Sequence, residues 1–189
     1  ALIGSAEAQI YPKSAPPGST FVRVFNGTAV AGLSSFIGDR SQGELPPYAG
    51  ANFIFLTPGE HTVRIGNFTA SYKLEAERYY TVVATADGLR MFNTRGFESQ
   101  LKAMVVMFNL IPDLKLSLKS ADGRATVFSD VAPYSADQRE VNPISIGLAL
   151  FSGDRKVADV PPLTFQRGGV FSLVVSGTME SPLVNWSDR

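Results

Sequence analysis

Apolar and polar residues alternate along most of this chain with a period of two. Residues 20–26 show it best: Phe21, Arg23 and Phe25 share one face, and Val22 and Val24 the other. Aromatic and β-branched residues at that spacing predict a strand. The same pattern predicts strands over 31–38, 52–56, 62–66, 71–75, 79–85 and 89–93. Turn pairs punctuate them at Asn26-Gly27 and Asp87-Gly88. Pro58-Gly59 suits a tight turn that folds the following strand back on the one before. A second series covers 102–109, 114–120, 125–128, 144–151, 156–160, 163–166, 170–176 and 184–186, with a turn at Asp122-Gly123. Residues 43–51 read as a Pro/Gly-bearing loop and 132–143 as polar and irregular. No window shows a helical period. Many short strands with frequent turns predict an all-β protein built from antiparallel β-sandwich, Ig-like domains.

The two series echo each other. Phe21-Val22-Arg23-Val24-Phe25-Asn26 returns as Met104-Val105-Val106-Met107-Phe108-Asn109, and Pro47-Tyr48 as Pro133-Tyr134. Residues 74–83 have a looser counterpart in 165–175. The echoes keep their order while their offset grows from 83 to 86 to 91, as insertions in the second copy would produce. A repeat of that length is a whole domain, since solenoid units run to ~20–50 residues. The expected organisation is an extended arm over 1–19, rich in proline, a first sandwich over 20–97 and a second over 98–189, joined head to tail. Residues 93–100 break the alternation between them.

At 44% apolar and 18% charged, the 189 residues can bury a core. Seventeen basic residues balance seventeen acidic ones, which leaves no electrostatic footprint for nucleic acid. The absence of cysteine removes disulfides, thiol nucleophiles and cysteine metal sites together. No stretch reaches the ~20 apolar residues of a spanning helix; the strongest run, residues 103–110, has strand length. The first eight residues read as a stub left by signal-peptide cleavage or as a cloning remnant.

Candidate chemistry is sparse. His61 is the one histidine, sits beside a turn, and has no Gly-x-Ser-x-Gly elbow to serve. One histidine without cysteine makes no zinc site. Asp130, Asp137 and Glu140 share one region but lack EF-hand spacing. The glycines stand in turns, without a phosphate-binding fingerprint. The expectation is no catalytic residue, no cofactor and no metal. Most aromatics occupy strand positions and read as core. Tyr11, Tyr48, Tyr134 and Trp186 lie in loops or at an end, and are the candidates for contact with a partner or a glycan.

Residues 11–26, 114–123 and 140–157, with Tyr11-Pro12, Ala15-Pro16-Pro17-Gly18-Ser19 and Glu140-Val141-Asn142-Pro143 among them, carry a more specific signal. Together they resemble the AlgF family of periplasmic alginate O-acetylation proteins, over nearly the whole chain from Tyr11. The resemblance implies an exported, non-enzymatic component acting beside a membrane-bound O-acyltransferase and periplasmic O-acetyltransferases. Residues 29–50 and 91–99 depart from the alginate pattern, which leaves the polymer open between alginate and a sister polysaccharide such as acetylated cellulose. Two other roles stand beside the adaptor: a polysaccharide-binding module using the four aromatics, and an acetyl carrier through a serine such as Ser135.

Overall fold

Sixteen strands account for the regular structure of the computed structural model, which describes residues 14–188. The first eight are β1 (Thr20–Asn26), β2 (Leu33–Ile37), β3 (Arg40–Leu45), β4 (Ile54–Leu56), β5 (Gly59–Ile65), β6 (Phe68–Leu74), β7 (Arg78–Thr85) and β8 (Gly88–Arg95). The second eight are β9 (Ala103–Asn109), β10 (Leu116–Ser120), β11 (Thr126–Val131), β12 (Ser135–Val141), β13 (Leu148–Ser152), β14 (Arg155–Asp159), β15 (Val170–Gly177) and β16 (Pro182–Asp188). The topology repeats strand for strand. The first unit has sheets β4-β1-β7-β8 and β3-β2-β5-β6; the second has β12-β9-β15-β16 and β11-β10-β13-β14. Each central pair, β1·β7 and β9·β15, is parallel, and the other ladders are antiparallel. Phe21 pairs with Tyr79 and Met104 with Val170, so the offsets of 83 and 91 persist in the register itself.

Each unit is a sandwich with its own core. Val22, Val24, Val63, Ile65, Tyr80 and Val82 fill the first; Val105, Met107, Leu116, Leu118, Leu150 and Leu173 are among those filling the second. A third apolar cluster lies between the units. Val83 and Phe92 of the first meet Met104, Val106, Phe108, Leu110 and Val174 of the second. The sandwiches are therefore stacked inner sheet against inner sheet, rather than set end to end. That explains β9, in which all seven residues are buried. Its odd positions face one core and its even positions the other, so it reads as a continuous apolar run. Each such side chain contributes about 1.5–3 kcal/mol by leaving water.

Several local expectations need correction. The chain through Pro58-Gly59 does not form a hairpin, because β4 pairs with β1 and β5 with β2. There the chain crosses from one sheet to the other, a choice that local turn chemistry does not encode. Residues 40–45, partly assigned to a loop, form the edge strand β3, whose bulge at Gln42, opposite Ser35 and Phe36 of β2, breaks the alternation. The polar stretch 132–143 contains β12, paired with β9 over seven consecutive positions. Its polarity is that of an edge strand with one solvated side. Residues 163–166 contribute a single bridge, Ser145 to Thr164. No helix among the described residues is long and apolar enough to cross a membrane.

Candidate functional site

The edge of the first inner sheet is broken where that of the second is continuous. Phe21 faces Phe55 while Phe25 faces Gly50, so four steps along β1 oppose five on the other segment. One extra residue makes a β-bulge, a feature that redirects side chains beside functional sites. A cleft of about 230 Å³ opens here between the sandwiches, lined by Arg23, Phe25, Tyr48 and Asn52 of the first and by Asn185 and Ser187 of the second, among others. Arg23 is the buried cation of this seam, at 5% exposure. Its Nε donates to Thr81 Oγ1 at 3.0 Å and its Nη1 to Ser187 Oγ at 2.9 Å. Its guanidinium carbon lies 4.5 Å from the Phe53 ring centre and 5.3 Å from that of Phe108. Cation–π contact of this kind gains strength when water is excluded. Further along the same face, Phe21 stacks on Tyr79 at 4.4 Å and Phe53 meets Tyr79 edge-on at 5.4 Å. All three rings are half-buried.

The turn that precedes the cleft is held by one side chain. Asn26, wholly buried, donates from Nδ2 to the carbonyls of Val30, Leu45 and Pro46 at 2.7, 3.2 and 3.1 Å. Its Oδ1 accepts from Thr28 N and Thr28 Oγ1. Asn109 does the same work in the second unit, donating to Leu114 and Val131 and accepting from Ile111 N.

The four candidate aromatics fall in different settings. Tyr48 and Tyr134 take equivalent places, each with φ of 52° in the left-handed region. Tyr48 lines the seam cleft. Tyr134 packs against the seam cluster, with Arg90 of the first unit 4.5 Å from its ring centre. Burial pushes the Tyr134 phenol up from its usual value; Arg90 opposes this, and Asp87, Asp113 and Tyr48 reinforce it. The structure thus gathers Tyr48 and Tyr134 at one seam. Trp186 stands apart, packed on the second core edge-on to Phe165 at 5.7 Å, with its Nε1 donating to Pro161 O at 2.8 Å. Tyr11 lies outside the described residues.

The reactive candidates are dispersed. His61 Nε2 meets the Thr57 carbonyl at 2.7 Å on the exposed surface. Asp130 belongs to β11, while Asp137 and Glu140 project to opposite sides of β12. No group of three His, Cys, Asp or Glu gathers for a metal among the described residues. Ser135 opens β12 opposite Asn109. Asp122 has its carboxyl held below the usual range by the Ser120 hydroxyl and then by Arg124 N–H, which is turn-capping.

Comparison with known proteins identifies the kin of this arrangement. Residues 2–172 match the family described as "Alginate O-acetyl transferase AlgF". The chain belongs to the AlgF family. It is 36% identical to the alginate biosynthesis protein AlgF of Pseudomonas putida over 97% of this chain and 85% of that protein. With the same protein of Pseudomonas aeruginosa it shares 38% identity, over 91% of this chain and 79% of the relative. Two solved structures correspond to its halves. The C-terminal domain of AlgF from P. aeruginosa is 44% identical, covering 47% of this chain and 99% of that domain, with a TM-score of 0.43. The N-terminal domain is 28% identical, covering 42% of this chain and 98% of that domain, with a TM-score of 0.38.

Arg23, Phe53, Tyr79 and Asn26 are the seam residues that sequence reasoning passed over. A signal existed for one of them: an arginine between two phenylalanines on a single strand face, Phe21-x-Arg23-x-Phe25, is an odd way to face water. The doubly apolar run 103–109 carried the matching hint from the other side.

Proposed function

We propose that this protein serves O-acetylation of alginate in the periplasm as a non-catalytic adaptor, bridging a membrane-bound O-acyltransferase and periplasmic O-acetyltransferases. Family membership over nearly the whole chain carries the reading. The word "transferase" in the family's description sets an enzymatic role against it. Two observations favour contact over chemistry. The one histidine engages the Thr57 backbone carbonyl through Nε2 at the exposed surface. The conserved geometry of the two units builds paired asparagine-tied loops and a shared seam, which present surfaces for docking. Two linked sandwiches also raise the effective concentration of whatever each one holds.

Co-precipitation from periplasm tests the adaptor role. The tagged protein is expected to bring down at least one acetyltransferase, and a deletion strain to secrete polymer with little acetate. Failure to associate, together with normal acetylation in the deletion strain, rejects it. The carrier alternative predicts a 42 Da gain at Ser135 after incubation with an acetyl donor ester (roughly the mass of one acetyl group replacing a proton, by the acyl-enzyme logic of nucleophilic transfer); an unchanged intact mass removes it.

A further inference from the structure

The two units differ at one end in a way that exposes an apolar recess. In the second unit the loop after β9 turns Ile111 and Leu114 into the core, at 0% and 9% exposure. They plug the end of that sandwich. In the first unit the corresponding residues are Thr28, tied to Asn26 Oδ1 as Ile111 is to Asn109 Oδ1, and Val30, tied to Asn26 Nδ2 as Leu114 is to Asn109 Nδ2. Thr28 is too short and polar to plug the core, and Val30 points outward at 58% exposure. The result is a recess of about 240 Å³ walled by Val30, Leu33 and Phe68, with the core residues Ile65 and Ala84 at its floor. Phe68 stands 37% exposed on its rim.

The loops at its rim, residues 27–32, 46–50, 66–67 and 86–87, carry acidic and no basic side chains, and the neighbouring Arg90 of β8 is engaged over the Tyr134 ring. Exposed Asp87 follows Ala86 of the lining, and Glu44 Oε2 would lie 3.7 Å from a Cβ built on Gly32, next to Leu33. We infer that this recess is a docking site for a branched aliphatic side chain, isoleucine or leucine, presented by a partner protein with a basic residue beside it. The second unit shows which side chains complete such a sandwich end, and the acidic rim selects their neighbour. The inference rests on the adaptor reading for its biological sense, but the site can be tested without any natural partner.

The test uses the isotope-labelled full-length protein and a capped peptide, Leu-Ile-Pro-Lys-Leu-Lys, patterned on residues 110–115 with one acid changed to lysine. Saturable shifts are expected at Val30, Leu33, Ile65 and Phe68. Thr28→Ile, which supplies the plug in cis, is expected to weaken binding about tenfold. Phe68→Thr removes a wall without entering the core and should weaken it comparably, guarding against a folding failure of the first variant. A peptide with glutamates in place of lysines should bind more weakly. Absent shifts at those residues in the wild type, or shifts in both variants as large as those of the wild type at every peptide concentration, overturn the site. Shifts that grow with protein concentration alone assign the recess to a second copy and overturn it as well. An acetyltransferase that co-precipitates equally with wild type and Thr28→Ile would sink this site and leave the adaptor role standing.

Discussion

The two sandwiches share strand order, parallel central pair and asparagine tether, yet the second is closed at two places where the first is open. In it, β12 runs unbroken along β9, alanine at 136 sits opposite Phe108, and Ile111 seals the end. In the first, a bulge interrupts the same edge, Gly50 replaces the alanine opposite Phe25, and the end stands open. Duplication thus kept the frame and relaxed one copy. The openings of the first unit are where the proposed docking recess and the seam cleft lie. The comparison teaches that one frame tolerates different packing at equivalent positions.

Substitutions at equivalent positions probe this contrast, beginning with the seam. Phe108 is 2% exposed, meets Phe92 edge-on at 5.6 Å and lies beneath Arg23. Phe108→Ala is expected to cost about 3–5 kcal/mol, and Phe25→Ala, at its half-buried counterpart, about half as much. Urea unfolding of both variants measures it; equal losses would deny that the copies differ in closure.

The tethers come next. Every bond of Asn109 is buried, whereas Asn26 shares most of its own with partly exposed partners. Asn109→Ala should cost about 2–4 kcal/mol and Asn26→Ala less, because stranded buried carbonyls lose more than those water can reach. Thermal unfolding at matched pH provides the comparison, and a larger loss at Asn26 would reverse it.

A smaller effect is expected opposite the paired phenylalanines. A Cβ on Gly50 would stand 2.7 Å from a ring carbon of Phe25 and 2.8 Å from Val24 O. Gly50→Ala is therefore expected to destabilise by about 1–3 kcal/mol through overpacking. The reverse change, Ala136→Gly, should cost at most about 1 kcal/mol, mainly in backbone entropy. If Gly50→Ala were neutral, the bulged edge would be looser than its geometry implies.

The mildest perturbation is pH. The Tyr134 phenol is raised above its ordinary value in the folded protein. Its contribution to stability is then full below that ordinary value, near pH 10, and disappears as pH rises through the folded one. Burial raises the Tyr72 phenol as well. Alkaline titration followed at 295 nm, where phenolate absorbs, should show late-ionising tyrosines, of which Tyr134→Phe removes one and Tyr72→Phe another; a late component unchanged by Tyr134→Phe would contradict the assignment.

Much of this architecture was legible beforehand. Strand-length apolar runs rich in β-branched residues located β1, β7, β9 and β15 closely, because strands covered on both faces lose their alternation. Echoes at Asn26/Asn109 and Tyr48/Tyr134 marked the duplicated frame, since a buried tether and a left-handed turn tolerate few residues. The edge strand β3 was missed because a bulge breaks its alternation, and β12 because Ser135–Val141 is polar nearly throughout, as edge strands often are. Candidate aromatics were chosen for lying in loops or at an end, a rule that selected Trp186, which packs on a core. The same rule excluded Phe21, Phe53 and Tyr79, whose strand positions hid the fact that they face the seam.

By itself the sequence determined the all-β class, the doubling and the absence of cysteine chemistry, because hydrophobic period and composition act locally along the chain. Tertiary structure decided which strands pair in parallel, that the units stack through their inner sheets, and that one copy stays open. Those outcomes depend on which apolar faces find each other across long stretches of chain, such as the 58 residues between Phe21 and Tyr79, and faces of equal hydrophobicity are indistinguishable until they meet.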